Sequence, residues 1–215
     1  MSEQLYFSTP YDLEKRLLEM QLESVSEPDS KNLLFICPGY DVSTLCFSLS
    51  DFYKSKINSI YVIESDGFNR RPDFINLKVM QGDIFESLPS VSGIDICIIT
   101  RVIEHFDYDQ IYNFTYLMSR VLNPNGVILC TYPDFEVITS KLQIEIPPSD
   151  ISFKFWLYEL FNIPGEYDSH KIYLNKNIIK EILTKEGYFD IVDLFDCIAI
   201  ESNRYLYNTI AAIKH

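Results

Sequence analysis

Short apolar runs alternate along this chain with segments in which apolar residues recur at helical spacing. The apolar runs lie at 33–36, 59–63, 77–80, 94–100 and 127–130. Helical spacing occurs at 43–52 and again after Asp107, a residue type that caps helices. Continuous apolar runs are typical of strands buried on both faces, as in a parallel sheet covered by helices. The alternation therefore predicts an α/β, doubly wound, mostly parallel sheet.

Further local signals flank this alternation. Thr9-Pro10 precede apolar residues at positions 13, 17, 20 and 22, and this spacing predicts an N-capped amphipathic helix. Pro28, within the small polar segment 26–30, favours a turn after that helix. The Asn-Pro-Asn-Gly segment at 123–126 predicts a turn before the fifth strand.

The net charge of the chain limits the kinds of molecule that we expect it to bind. The chain has 215 residues, a formal net charge of −13 and a sequence pI of about 4.6. Nucleic acids and anionic membranes attract clusters of Lys and Arg, whereas the densest basic pair here is Arg70-Arg71. We expect no nucleic-acid partner. Because no apolar run approaches the roughly 20 residues that span a membrane, and the N-terminus lacks a signal-peptide pattern, we expect no membrane insertion and a cytoplasmic location.

Metal-ligating residues are few and scattered. The five cysteines form no CxxC pair, and the three histidines are His105, His170 and His215. A structural zinc site needs about four clustered ligands. The sequence therefore predicts no metal site and no disulfide framework.

Polar residues follow the predicted strands at the positions where ligands bind in doubly wound sheets, beyond the carboxyl ends. Gly39 follows the first strand, Glu64 the second, Asp83 the third, and the segment 100–105 the fourth. Glycine permits close approach of a ligand to the backbone, and a carboxylate after the second strand can accept both hydroxyls of a ribose. Asp83 can accept an adenine amino group. The alternative is that both acids are ordinary loop residues.

Several segments resemble the motifs of class I S-adenosylmethionine-dependent methyltransferases. The segment 33–45 (LLFICPGYDVSTL) is similar to the first motif, with Gly39 the one glycine kept of three. Cys37 and Asp41 occupy the other two glycine positions, and Phe35 stands where an acid is usual. The segments 61–66 (YVIESD), 82–84 (GDI), 95–106 (DICIITRVIEHF) and 122–129 (LNPNGVIL) resemble the motifs that follow.

This resemblance implies a Rossmann-like fold with a mostly parallel seven-stranded sheet and an antiparallel strand near the C-terminus, at 205–213. It implies S-adenosylmethionine as cofactor. After the N-terminal helix in 1–30, we expect a cofactor-binding half in 31–135, an acceptor-side insertion in 136–170, and a helix and strands in 171–215 that complete the same domain. Thr100 and Arg101 would line the methionine end of the cofactor. The residues expected to hold the cofactor are Cys37, Gly39, Glu64, Asp83, Ile84, Thr100 and Arg101.

Sequence segments in the C-terminal part of the chain indicate which kind of methyl acceptor to expect. Segments at 132–135 (YPDF), 168–171 (DSHK) and 186–188 (EGY) resemble small predicted methyltransferases associated with polysaccharide biosynthesis. A small-molecule or glycan acceptor is implied, with O-methylation as the hypothesis. An oxygen acceptor benefits from a general base, so His105 and His170 are the catalytic candidates, oriented by Asp134 or Asp168.

Two alternatives remain at this point. The chain could be a non-catalytic relative that serves as a binding or scaffold protein, which Phe35, Cys37 and Asp41 motivate. A nucleotide-sugar or dinucleotide enzyme fits less well, and the glycine-rich turn that holds the pyrophosphate of a dinucleotide is missing. The aromatic segment around Trp156 is either a helix face packed in the core or the wall of an acceptor pocket.

Overall fold

A computed structural model describes residues 6–7, 10–23, 30–37, 48–64, 76–136, 170–200 and 205–215. Its strands are β1 (Tyr6–Phe7), β2 (Lys31–Ile36), β3 (Ile57–Glu64), β4 (Leu77–Gln81), β5 (Ile94–Thr100), β6 (Leu122–Pro133), β7 (Phe189–Ile200) and β8 (Tyr205–Lys214). The helices are α1 (Pro10–Glu23), α2 (Asp51–Lys54), α3 (Ile84–Ser87), α4 (Tyr108–Val121) and α5 (Lys176–Thr184), with 3₁₀ turns at Leu88–Ser90 and Ile103–His105.

The strands form one sheet in the order β1-β7-β8-β6-β5-β2-β3-β4. β8 pairs antiparallel with β6 and β7, and the remaining pairs are parallel. This confirms the predicted seven-stranded, mostly parallel sheet with an antiparallel strand near the C-terminus. The two-residue β1 adds an eighth strand at the edge, beside residues 199 and 200 of β7. From β2 the chain runs to β3 and β4 on one side and then to β5 on the other, so the topological switch point lies between β2 and β5.

The central strands are buried on both faces, as their continuous apolar runs predicted. In β2, Leu33 and Phe35 pack with α1 on one face, while Leu34 and Ile36 pack on the α4 and α5 face. This alternation follows from the two-residue period of a strand. β4 differs, because it lies at the edge of the sheet and its apolar residues Leu77, Val79 and Met80 are only partly buried.

Local sequence signals account for the helix ends. α1 begins at Pro10 and buries Leu13, Leu17 and Leu22, as the spacing predicted. α4 begins after a capping box in which the Asp107 carboxylate accepts from Gln110 N and the Gln110 side chain accepts from Asp107 N. These two reciprocal hydrogen bonds, between residues three positions apart, determine where the helix begins.

The predicted turn at 123–126 is instead an interruption inside β6. Ile94 of β5 pairs with Leu122, but Ile96 pairs with Val127, so β6 has three extra residues between these two pairs. Gly126 is required there, since a Cβ atom would lie 2.8 Å from the backbone oxygen of Asn123. The Asn-Pro-Asn-Gly signal therefore marks a bulge rather than the end of an element.

Several predictions fall outside the described residues: the helical spacing at 43–47, Gly39, Asp41, Asp168 and nearly all of the acceptor-side insertion. The described cysteines Cys37, Cys97 and Cys130 are not joined in disulfides. None of the described helices is long and apolar enough to span a membrane.

Candidate functional site

The carboxyl ends of β2, β3 and β5 bring together the residues that follow the switch-point strands. Cys37 comes directly after β2 and donates its backbone N–H to Ile63 O at 2.8 Å. Glu64 is the last residue of β3 and follows Ile63 directly. Thr100 ends β5 on the other side of β2. The structure therefore places Cys37, Glu64 and Thr100 at the edge where a doubly wound sheet binds its ligand.

Cys37 has a backbone conformation that favours glycine. Its φ is +43°, in the left-handed region that L side chains rarely adopt. The resemblance places Cys37 at the first glycine position of the family's cofactor loop, and its backbone has the conformation that a glycine there would favour. A left-handed non-glycine residue costs on the order of 1 kcal/mol, and such strain concentrates at functional sites.

Arg101 shows the same conformation after β5. Its φ is +57°, and its backbone N–H donates to Thr131 O at 2.9 Å. The Thr131 hydroxyl lies 2.9 Å from the hydroxyl of Thr209 in β8. Three neighbouring strands thus hold the turn after Thr100 in place, which fixes the direction in which the chain leaves β5.

Asp83 has a structural partner that the sequence analysis did not assign. Its Oδ1 atom accepts from Phe85 N at 2.7 Å and from Glu86 N at 3.2 Å, and so caps α3. Ile84, predicted beside the adenine, is buried in the core. Gly82, with φ +128°, donates its N–H to Glu64 O at 3.1 Å and so ties this turn to the end of β3.

Glu104, His105 and His170 form a cluster beyond the end of β5. One ligand atom from each side chain lies within 4.8 Å of the other two. The imidazole rings of His105 and His170 meet edge to face, with centroids 5.0 Å apart and an interplanar angle of 74°. Glu104 is 1% exposed, while both histidines are half-buried. The two catalytic candidates, which are 65 positions apart in sequence (170 − 105), are thus neighbours in the fold.

Backbone hydrogen bonds hold this cluster together. Glu104 O accepts from Lys171 N at 2.9 Å and from Ile172 N at 3.3 Å, and these bonds tie the segment after His170 to the 3₁₀ turn. Asp134, proposed to orient a histidine, accepts from Asn208 Nδ2 at 2.7 Å and from Glu136 N at 2.9 Å. These bonds give Asp134 a role in joining the end of β6 to β8.

A further buried acid was missed by the sequence analysis. Glu14 of α1 is 1% exposed, and burial raises the pKa of its carboxyl to about 8, with a small opposing effect from the Thr100 hydroxyl. Glu14 lies four residues before the buried Leu18 and three before Leu17, and this spacing was the available signal.

Comparison by sequence identifies no relative, since no protein-family model matches the chain and no curated protein is significantly similar to it. Comparison by structure finds solved proteins with the same fold. A methyltransferase from Archaeoglobus fulgidus described as SAM-dependent superposes with a TM-score of 0.58 at 18% identity, over 97% of this chain and 96% of its own.

Two larger proteins also superpose. The CurJ carbon methyltransferase gives a TM-score of 0.62 at 16% identity over 94% of this chain, and human N-acetylserotonin methyltransferase, solved with SAM, gives 0.56 at 13% over 95%. This chain spans about half of their lengths, 53% and 55%. The sheet order, the antiparallel β8 and these superpositions agree: the chain has the fold of the S-adenosylmethionine-dependent methyltransferases.

Proposed function

We propose that this chain binds S-adenosylmethionine and transfers its methyl group to an oxygen of a small molecule or of a sugar or glycan intermediate. The observation that carries the proposal is the position of Glu64. It ends the strand beside β2 and directly follows Ile63, whose carbonyl accepts from Cys37. A carboxylate so placed can accept both hydroxyls of a ribose whose nucleoside lies across the ends of β2 and β3.

The remaining residues fit a nucleoside cofactor with a charged tail. The left-handed backbone at Cys37 keeps the geometry that a glycine would give, so backbone groups after β2 can approach a ligand closely. Thr100 and Arg101, fixed by β6, are assigned to the methionine end. The N-acetylserotonin methyltransferase with this fold was solved with SAM, which supports the same cofactor here.

Bound S-adenosylmethionine supplies an electrophilic methyl group, and the chain must then align an acceptor and accept a proton. His105 and His170 lie together just beyond the end of β5 and are half-buried, so an acceptor can reach them. An imidazole is suited to removing a hydroxyl proton near neutral pH. Alignment supplies much of the rate of such a displacement.

The expectation of a polysaccharide-pathway acceptor rests on the resemblance of the C-terminal segments alone. The expected absence of a nucleic-acid partner rests on the net charge of −13. A second candidate function, a non-catalytic binding module, is favoured by Phe35, which is fully buried in the core where the family has an acid. This second function predicts that the protein binds a ligand but does not catalyse methyl transfer.

Titration calorimetry with S-adenosylmethionine and its demethylated product tests the proposal. We expect the wild type to bind both ligands, and Glu64→Ala to weaken binding at least tenfold, because hydrogen bonds to a charged acceptor contribute about 1.5–3 kcal/mol each. Glu181→Ala, which removes an exposed carboxylate from α5, is the matched control and should bind like the wild type.

Two results would overturn the proposal. If neither ligand binds the wild type at millimolar concentration, the cofactor assignment is wrong. If the Glu64→Ala and Glu181→Ala variants bind equally well, Glu64 does not hold the ribose.

A further inference from the structure

The cluster of Glu104, His105 and His170 contains the donor atoms of a metal site, although the scattered histidines had predicted none. It joins two imidazoles and one carboxylate, with one ligand atom from each within 4.8 Å of the others. We propose that these three side chains bind one divalent transition-metal ion, with Zn²⁺ as the reference ion. This site goes beyond the proposed methyl transfer and does not require it.

The geometry needs only small side-chain movements to close around an ion. Zinc lies about 2.0–2.2 Å from nitrogen and oxygen ligands, so two ligands of a tetrahedral ion are about 3.4 Å apart. Rotation of the His105 and His170 side chains would therefore have to bring ligand atoms that now lie within 4.8 Å of one another closer together. The hydrogen bonds from Lys171 N and Ile172 N to Glu104 O hold the two backbone segments next to each other.

The donor set selects the class of ion. Imidazole nitrogen suits zinc and its transition-metal neighbours, whereas magnesium and calcium prefer oxygen ligands throughout. Two imidazoles and one carboxylate match the three-ligand arrangement of catalytic zinc sites, which keep a position open for water or substrate. His105 and His170 are half-buried, so this open position can be reached from solvent.

Burial of Glu104 strengthens the case for a cation. A carboxylate that is 1% exposed has lost most of its hydration, and a buried charge is expensive unless it is paired or coordinates a metal. A divalent ion held between Glu104 and the two histidines would add a charged ligand to the contacts that Glu104 already makes. The competing explanation is an edge-to-face histidine pair beside a carboxylate, without any ion.

The position of the cluster suggests what an ion would do there. The 3₁₀ turn Ile103–His105 begins three residues after Thr100, at the end of a switch-point strand. If the proposed methyl transfer holds, an ion at this site would replace the imidazoles as the group that activates the acceptor: it would bind the acceptor oxygen and lower the pKa of its hydroxyl group, so that the proton passes to water. This last step rests on the proposed function, whereas ion binding itself does not.

Metal titration of untagged protein tests the site. After removal of metals with a chelator and dialysis, Co²⁺ is added and its visible absorption followed, and Zn²⁺ binding is measured by calorimetry. We expect one equivalent of either ion to bind. His170→Asn and Glu104→Gln should each weaken binding at least tenfold. His215→Asn is the matched control, because His215 is 55% exposed and lies 3.3 Å from Asp190, outside the cluster.

Thermal unfolding provides a second readout that does not depend on the spectrum. Zn²⁺ should raise the Tm of the wild type and of His215→Asn, but not of His170→Asn, because a ligand stabilises only the state that binds it. If Glu104→Gln does not fold, the half-buried His170 still tests the site. Absence of binding by the wild type, or binding that His170→Asn leaves unchanged, overturns the proposal. Neither result bears on cofactor binding through Glu64, which is measured without metal.

Discussion

The carboxyl group of Glu14, in the N-terminal helix α1, lies beside the hydroxyl group of Thr100, the last residue of β5. Both side chains are buried, and neither Glu14 Oε2 nor Thr100 Oγ1 makes a hydrogen bond within the described part of the chain. α1 therefore places an ionisable group beside the last residue of β5, one of the two strands that flank the topological switch point. A buried carboxyl in this position makes stability depend on pH.

Glu14 should make the protein less stable as the pH rises from about 4.5 to about 8. Burial raises the pKa of its carboxyl from 4.5 to about 8 in the folded chain, so the folded state keeps a proton that the unfolded state loses in this window. The stabilising effect is complete below pH 4.5 and is lost as the pH rises to the folded value. Between pH 5 and pH 8, ionisation of Glu14 should lower the free energy of unfolding by an amount on the order of 3 kcal/mol.

Urea denaturation of Glu14→Gln at pH 5 and pH 8 measures this effect. Relative to the wild type, we expect the variant to gain stability at the higher pH, because an amide does not ionise. Glu19→Gln on the same helix, whose carboxylate lies 3.8 Å from Lys15, should follow the wild type at both pH values. Equal pH dependence in Glu14→Gln and the wild type would contradict the assignment.

Removal of the cap of α4 should destabilise the fold moderately. Asp107→Ala leaves Gln110 N without its 2.8 Å acceptor, and the loss of an N-cap costs about 1 kcal/mol. Asp107→Asn keeps an oxygen acceptor and should stay within a few tenths of a kcal/mol of the wild type. Chemical denaturation measures the free energy of unfolding of both variants. Equal losses of stability in the two would show that the charge of Asp107, rather than its capping hydrogen bond, is responsible.

Asp134 should contribute more than a surface acid. It is 2% exposed and accepts from Asn208 Nδ2 and Glu136 N, so Asp134→Ala removes two hydrogen bonds to a buried carboxylate. We expect a loss of about 3 kcal/mol in the free energy of unfolding. Asp190→Ala, at an exposed position, should change it by less than about 0.5 kcal/mol. A loss at Asp134 as small as that at Asp190 would show that these bonds contribute little.

The left-handed backbone at Cys37 gives a prediction about side-chain size. Cys37→Val should lower stability by about 2 kcal/mol, because a β-branched residue tolerates a φ of +43° poorly. Cys37→Gly should cost less, since glycine adopts this conformation without strain. Thermal unfolding orders the variants, and a more stable valine variant would show that the turn relaxes.

Much of the fold could be predicted because its signals are local. The apolar run at 94–100 coincides with β5, and Asp107 caps α4 through a partner only three residues away. The bulge at 123–126 was misassigned because the same Asn-Pro-Asn-Gly signal serves turns and bulges. Only pairing with β5 decides between them, and that pairing is not visible in the local sequence.

The positions of the candidate site residues in the fold were predicted in part, for a related reason. Glu64 could be placed from the topology rule alone, because it directly ends an apolar run. Asp83 was ambiguous, since a carboxylate after a strand can bind a ligand or cap the next helix, as it does here. The meeting of His105 with His170 depends on how the segment after the acceptor-side insertion returns to β5, and no periodic pattern encodes such a distant contact.

The short first strand has a consequence for solubility. An edge strand exposes unpaired backbone groups that can recruit another chain, and β7 would present such an edge over twelve residues. β1 covers residues 199 and 200, and register shifts interrupt the β7–β8 ladder between 193 and 198. At the opposite edge, β4 is five residues long and carries Lys78. Within the described residues, neither border of the sheet therefore offers a long, regular template on which a second molecule could extend it into an aggregate.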